Sequence, residues 1–172
     1  MAVIDAYTNG GETSSVVTAV NNGGQNIKVI RQSVAIAAAD SDGSKYRLAK
    51  IPGSAVVIEA YLTCSAITGG TGYTLGIYDT LDNGGAVVDA DCFMTTKDCS
   101  SEILIGAKFN ALTGGIFGGV TTTTAASCKT IAEVLGKTAL TAKKEYDLVL
   151  TAATVGSAAG SVEITFVYTI AG

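Results

Sequence analysis

Four aspartates within thirteen positions are the densest group of potentially reactive side chains in this sequence. They are Asp79, Asp82, Asp89 and Asp91. Converging carboxylates could bind Ca²⁺, which takes six to eight oxygen ligands, or supply a glycosidase-like acid and base. Their spacing does not match an EF-hand loop, and aspartate commonly stabilises turns by bonding to nearby backbone. We therefore interpret the group as turn residues and predict no metal site.

Four cysteines offer a second possible chemistry, either zinc binding or disulfide formation. They are Cys64, Cys92, Cys99 and Cys128. Their spacing matches neither a CxxC redox pair nor a usual zinc-binding pattern, which favours small buried or surface thiols. A disulfide between Cys92 and Cys99 stays open, although a protein made in the cytoplasm usually keeps such thiols reduced.

Nucleophilic catalysis lacks a partner base, because the chain contains no histidine. No serine or cysteine can be activated by an imidazole, and no histidine can bind a metal. Lys143 and Lys144, next to Glu145, are typical of a solvated turn. The paired glycines fit neither the GxGxxG nor the GxxxxGK[ST] pattern of phosphate-binding loops. We predict that the protein is not an enzyme and binds no cofactor.

Composition and charge exclude further classes of function. The chain has 172 residues, a formal net charge of −4 and only 15% charged residues. Its length predicts one domain, and the lack of a basic tract argues against nucleic acid as a partner. No apolar stretch approaches the roughly 20 residues that cross a bilayer, and we expect neither a signal peptide nor a membrane partner.

Apolar and polar side chains alternate along many segments, which is the period of a half-buried β-strand. Each such strand can cover only one face, so we predict two sheets that close on each other. The predicted inner rows are Ile30, Val34 and Ile36; Tyr46 and Leu48; Val56, Ile58, Ala60, Leu62 and Cys64; Tyr73, Leu75 and Ile77; Tyr146, Leu148, Leu150 and Ala152; and Val162, Ile164, Phe166, Tyr168 and Ile170.

Local signals predict one hairpin and one or two short helices. The sequence Asp-Asn-Gly-Gly at 82–85 is typical of a tight turn and predicts a hairpin between residues 75–78 and 86–88. Thr130 and Glu133 have capping-box spacing, which predicts a short helix that ends at Gly136. Residues 100–108 are a weaker helix candidate.

The surface predicted from these rows is sparsely charged and partly apolar. Arg47 and Asp147 are expected to face outward, as are Val57, Val149 and Val167. Because exposed apolar patches often mark protein contacts, we expect partners to cover part of this exterior. Residues 1–26 contain few apolar positions and are interpreted as an N-terminal arm, followed by a single β-sandwich domain over 27–172.

Three stretches carry a resemblance to a known class of proteins. They are YRLAKIPGSAVVI at 46–58, ITGGTGYTLGIYD at 67–79 and NGGAVVDAD at 83–91. These stretches resemble capsid decoration (cement) proteins, which are small structural proteins of tailed bacteriophages. The resemblance implies an all-β fold: a two-sheet antiparallel β-sandwich, jelly-roll-like, with one or two short helices and an extended N-terminal arm.

The same resemblance implies a role without chemistry or cofactor. Such a protein binds the major capsid protein on the outer capsid surface of the virion and stabilises the head lattice, as a homotrimer or other homo-oligomer. It is present in the host cytoplasm during assembly. As a hypothesis, residues 2–20 of the arm lie along a neighbouring subunit and add backbone pairing there. The candidate partner-binding residues are Val3, Ile4, Tyr7, Val16 and Val17.

Two alternatives stay open. Phage tail or baseplate components reuse β-sandwiches, so a tail location is the nearest alternative. A carbohydrate-binding or adhesin-type β-sandwich module is an alternative from another class. That function needs exposed aromatic side chains, whereas the aromatic residues above fall on inner rows, and the chain has no tryptophan.

Overall fold

Ten strands and three short helical segments make up the described part of the chain. The computed structural model describes residues 3–5, 17–20, 26–112, 129–137 and 145–170. The strands are β1 (Val3–Asp5), β2 (Val17–Val20), β3 (Asn26–Ile36), β4 (Ser44–Pro52), β5 (Ala55–Cys64), β6 (Thr71–Asp79), β7 (Val87–Lys97), β8 (Phe109–Asn110), β9 (Glu145–Thr154) and β10 (Gly160–Ile170). The helical segments are α1 (Ile131–Val134) and two 3₁₀ turns, Leu81–Asn83 and Ile105–Ala107. No helix in the described residues is long and apolar enough to cross a membrane.

The strands form two five-stranded sheets that face each other. Sheet A has the order β1-β4-β9-β6-β7, and sheet B has the order β2-β3-β10-β5-β8. The last eight strands pair as one long folded hairpin: β3 with β10, β4 with β9, β5 with β8, and β6 with β7, all antiparallel. Further pairing of β10 with β5 and of β9 with β6 wraps that hairpin into two sheets. This is the jelly-roll arrangement, and the predicted all-β sandwich is confirmed.

The core lies between the sheets and is built from the alternating rows. The predicted inner residues of β6 and β9 are fully buried, as are those of β10 up to Phe166. Phe93 of sheet A meets Phe166 of sheet B edge to face, with ring centroids 5.1 Å apart. Because each sheet has one continuous apolar face, burial of both faces against each other accounts for most of the stabilisation.

In β5 the predicted alternation is wrong over its first half. Val57 is buried, whereas Ile58 is 44% exposed and Val56 is partly exposed. The pairing to β10 skips Ile58, since Val57 and Glu59 pair with consecutive β10 residues. One extra residue in a strand reverses which side chains point inward. The bulge therefore turns Val57 into the core and Ile58 out of it.

A second bulge, in β4, keeps a charged residue, Lys50, out of the core. Arg47 pairs with Val149 and Ala49 pairs with Leu148, so one residue of β4 is extra at this point. Without the shift, strict alternation would turn Lys50 inward. With it, Ile51 is fully buried and Lys50 is exposed.

The outer face of sheet A is covered, contrary to the sequence prediction. Arg47, Asp147 and Val149 were expected to face solvent, but all three are buried. One reason is that β7 folds over the sheet. Its pairing with β6 contains a large irregularity, and a Cβ on Gly76 would lie 2.2 Å from the carbonyl oxygen of Asp89. Glycine is required at 76 because the two backbones approach so closely.

Of the predictions made from local sequence signals, two are confirmed and one is wrong. The hairpin around residues 82–85 is confirmed, with a 3₁₀ turn between β6 and β7. The capping box is also confirmed, since Thr130 Oγ1 accepts a hydrogen bond from the Glu133 backbone N–H and the Glu133 carboxylate accepts one from the Thr130 N–H. The helix considered for 100–108 is wrong except for one 3₁₀ turn. Ile103 instead forms a β-bridge with Cys64.

Candidate interaction surface

The aspartates at 79–91 do not converge on one site but make separate local contacts. The Asp89 carboxylate accepts a hydrogen bond from the Asp91 backbone N–H at 3.3 Å. Both residues lie in β7, whereas Asp82 lies in the 3₁₀ turn, so the turn prediction is confirmed for Asp82 and wrong for Asp89 and Asp91. Asp82 lies 3.4 Å from the Lys50 ammonium at the surface. Burial raises the pKa of Asp89. Across the described ranges, no three acidic, cysteine or histidine side chains are placed to hold a metal ion.

A buried ion pair fastens the turn at 79–85 onto the outside of sheet A. The Arg47 guanidinium donates to the Asp147 carboxylate, and both side chains are almost fully buried. It also donates to the backbone oxygens of Asp79 and Gly85, each at 3.0 Å. Removing either charged partner would leave a buried charge without compensation. The pair therefore acts as a clamp that closes sheet A from outside.

Sheet B contrasts with sheet A because its outer face is open to solvent. Arg31 and Ser33 of β3 are exposed, and Thr165 and Val167 of β10 are only partly buried. Arg31 pairs with Glu163 across the strands at 2.9 Å, with side chains 55% and 27% exposed. An exposed pair of this kind contributes little to stability. This face is therefore available for contact with other molecules.

An apolar ledge, Leu104 and Ile105, projects beside this face. The two side chains are 60% and 68% exposed, the highest values among the large aliphatic residues described as exposed. Two grooves border the ledge, with volumes of about 440 Å³ and about 410 Å³. The first groove is lined by Lys97, Glu102, Ile103, Leu104, Ala107, Lys108, Phe109 and Asn110. The second is lined by Arg31, Ser33, Thr63, Cys64, Ser65, Glu102, Ile103, Leu104, Ile105, Ser161 and Glu163.

Two lysines hold the segment that carries the ledge. The Lys108 ammonium lies 3.5 Å from the ring centroid of Tyr61, and the Lys97 ammonium lies 4.2 Å from that of Phe109. A hydrogen bond with Glu59 raises the pKa of Tyr61. Contacts between cations and aromatic faces are worth about 0.5–1 kcal/mol at exposed sites. They fix the ledge next to sheet B without covering its two aliphatic side chains.

The predicted partner-binding residues are divided between described and undescribed parts of the chain. Val3 and Ile4 lie in β1, which pairs in parallel with β4 of the same chain. Val17 lies in β2, which pairs antiparallel with β3. Tyr7 and Val16 lie outside the described residues. The backbones of both N-terminal strands thus extend sheet edges of their own chain, and contact of these five residues with a neighbouring subunit stays a prediction.

Of the outward valines expected to contact partners, Val57 and Val149 are buried within the chain itself. Those two predictions are wrong, because the bulge in β5 turns Val57 into the core and the outer face of sheet A is covered over Val149. Val167 alone keeps its predicted position, on the outer face of sheet B. The ledge was missed because its residues were assigned to a helix. The pairing of Ile103 with Cys64, which sets the ledge, links residues far apart in sequence and leaves no local signal.

The cysteines in the described residues are buried free thiols: Cys64, Cys92 and Cys99. Cys128 lies outside those residues. The thiol that lies near Cys99 is Cys64, since each of the two side chains perturbs the ionisation of the other. The Cys92–Cys99 disulfide that the sequence left open is not formed.

The fold and the open face define the class of protein as a jelly-roll sandwich with one covered and one uncovered sheet. No protein-family model and no curated protein matches the chain. Two solved structures share the fold. A chain of the capsid of Ralstonia phage GP4 matches with a TM-score of 0.64 and 15% identity, over 99% of both chains. A chain of the cyanophage Pam1 capsid asymmetric unit matches with a TM-score of 0.50 and 18% identity, over 95% of this chain and 99% of that one. At these identities the likeness shows a common fold.

Proposed function

We propose that this chain is a structural protein of a phage virion, and specifically a capsid decoration protein that binds the outside of the head. The observation that carries the proposal is the match over 99% of both chains to a chain of the phage GP4 capsid. A match of that extent means that the neighbour is a chain of similar length with the same jelly-roll. The three sequence stretches that resemble decoration proteins support the same assignment.

The surface supports a role based on contact. Sheet A is closed by the Arg47 clamp, whereas sheet B presents its outer face and the ledge to other molecules. A decoration protein that contacts two or more shell subunits adds binding energy to the closed shell without catalysis. Many copies acting together amplify weak single contacts. We propose that the ledge and the outer face of sheet B form one such contact with the major capsid protein, and that a homo-oligomer, such as a trimer, supplies the multivalency.

The N-terminal strands form the second proposed contact. A strand at a sheet edge has one row of backbone groups free to pair with another chain. β1 and β2 lie at the edges of sheets A and B in the strand order. The proposal is that Val3, Ile4, Tyr7, Val16 and Val17 reach a neighbouring subunit from these edges.

Co-sedimentation tests the first contact. Particles of the phage that encodes this chain, produced without it, are mixed with the purified protein and pelleted through a cushion. Wild-type protein is expected to pellet with particles to a saturating ratio. The double variant L104S/I105S is expected to bind at least about tenfold more weakly, since two aliphatic side chains are worth more than 1.4 kcal/mol when buried.

The matched control is L81S/V87S, which removes two exposed aliphatic side chains, 47% and 55% exposed, at the β6–β7 turn. This variant should bind like wild type. Equal binding by both double variants would remove the ledge from the interface. Failure of wild-type protein to bind any particle, under conditions where it is folded, would remove the decoration proposal itself.

Deletion of residues 1–20 tests the second contact. The truncated protein is expected to occupy fewer sites on the particles. Unchanged occupancy would exclude the N-terminal strands as a contact with a neighbouring subunit. Circular dichroism before mixing checks that the shortened chain retains its β-sheet content.

A further inference from the structure

Two buried thiols meet where the two sheets are connected at one end of the sandwich. Cys64 is the last residue of β5 in sheet B, and Cys99 lies two residues after the end of β7 in sheet A. The backbone of Cys99 is anchored at this place, since its N–H donates to the oxygen of Gly70 at 3.0 Å and its oxygen accepts from Ile67 at 2.9 Å. The backbone of Cys64 exchanges two hydrogen bonds with Ile103. Both thiols are thus held on fixed backbone.

The two thiols differ in access. Each side chain lies close enough to the other to perturb its ionisation. Cys64 is 6% exposed and lines the groove of about 410 Å³ beside the ledge, whereas Cys99 is fully buried. The Cys64 sulfur lies 3.7 Å from the backbone oxygen of Ser101 in the same groove. A small reagent in the groove can therefore reach Cys64 but not Cys99.

We propose that Cys64 and Cys99 form an oxidisable dithiol, which closes to a disulfide when the groove admits a small disulfide such as glutathione disulfide. The Cys64 thiolate attacks the reagent, a mixed disulfide forms, and one reagent thiol leaves. The Cys99 thiolate then attacks the Cys64 sulfur and releases the second reagent thiol. Two protons and two electrons pass from the cysteines to the reagent, which becomes two thiols.

The product links the end of β5 in sheet B to the segment that follows β7 of sheet A. A reducing cytoplasm would keep the dithiol open, and an oxidising exterior would close it. This chemistry belongs to the isolated chain, and it does not depend on the proposed role in the virion.

The rate of closure has a defined pH dependence. Burial raises the pKa of both thiols. Because the thiolate is the attacking species, closure should accelerate about tenfold per pH unit between pH 7 and 8.5. The titratable groups that interact with the pair are Lys97, Asp98, Glu102 and Tyr73.

Peptide mapping tests the proposal. Folded protein is incubated with glutathione disulfide at pH 8, alkylated, and digested with trypsin without reduction. Cleavage after Lys50, Lys97 and Lys108 places Cys99 in peptide 98–108, and places Cys64 and Cys92 in peptide 51–97. A disulfide-linked pair of these two peptides is the expected product.

The variant C92S makes the assignment unambiguous, because any link between the two peptides must then use Cys64. The linked pair should persist in C92S and vanish in C64S and in C99S. The oxidised C92S protein should also unfold roughly 5 °C or more above its reduced form. The disulfide closes a long loop, which restricts the unfolded chain and so stabilises the folded state. The proposal is overturned if Cys64 and Cys99 of folded C92S remain unlinked, or if Cys64 stops at the glutathione mixed disulfide.

Discussion

At the residue scale, the Arg47–Asp147 pair shows how a charged group can occupy the outside of a sheet and still be buried. The guanidinium satisfies one carboxylate and two backbone oxygens, and in doing so it holds the 79–85 turn in place. The alternating pattern correctly gave Arg47 and Asp147 the outer face. It could not show that a turn more than 30 residues away would cover them.

We expect D147A to lower the free energy of unfolding by about 3–5 kcal/mol, because it leaves the Arg47 charge buried without its partner. The matched control is D82A, which breaks an exposed pair whose side chains are 39% and 85% exposed and should cost less than about 1 kcal/mol. Urea unfolding followed by circular dichroism measures both. Equal losses in the two variants would contradict the clamp.

The buried thiols give a second prediction at this scale, concerning alkaline pH. Burial raises the pKa of Cys92 and Cys99 above the ordinary value of about 8.5. The folded state therefore keeps these protons while the unfolded chain loses them. The resulting stability is fully present below about pH 8.5 and decreases as pH rises, by up to about 1.4 kcal/mol per pH unit for each thiol.

Urea midpoints measured at pH 7.5, 9 and 10 in the presence of a reductant should fall with this sign. The variant C92A should show a shallower decrease, because one of the groups is gone. A midpoint that rises with pH over this interval would contradict the assignment of buried, protonated thiols.

At the element scale, the bulges decide which side chains reach the core. In β5, one extra residue buries Val57 and exposes Ile58. We expect V57A to cost about 1–3 kcal/mol and I58A less than about 1 kcal/mol, although isoleucine is the larger side chain. Thermal unfolding of the two variants measures the difference. A larger loss of stability for I58A than for V57A would indicate that β5 alternates without a bulge.

The sequence predicted elements well where their periodicity is unbroken and their signals are local. The rows of β6, β9 and most of β10, the hairpin at 82–85 and the capping box of Thr130 and Glu133 all followed from neighbouring residues. The bulge at Ile58, the cover over Val149 and the bridge between Cys64 and Ile103 did not. Each depends on which strand lies beside which, and alternation specifies faces but not neighbours.

The candidate surface was less predictable than the fold. A ledge at Leu104 and Ile105 exists because β8 and the bridge at Ile103 pair with β5, which is distant in sequence. Likewise, the contact of Cys64 with Cys99 crosses 35 positions. Sequence spacing favoured Cys92 as the partner of Cys99, since only six residues separate them.

At the scale of the whole molecule, the jelly-roll has one face closed by its own turn and one face open. Such a division suits a protein that lies flat on a larger surface, because the open sheet can be covered there while the closed one faces solvent. The outer head of a phage offers a repeating surface of this kind. Docking on it would bury the ledge and the sheet B face together.

The most direct test of this account is cryo-electron microscopy of phage particles that contain the chain and of particles that lack it. We expect difference density on the outer head surface, repeated with the symmetry of the capsid, into which the jelly-roll fits with sheet B toward the shell. Density confined to the tail would select the tail or baseplate alternative. Identical maps, with the chain absent from purified virions, would contradict the central claim, and clear binding on a glycan array would then favour a carbohydrate-binding module.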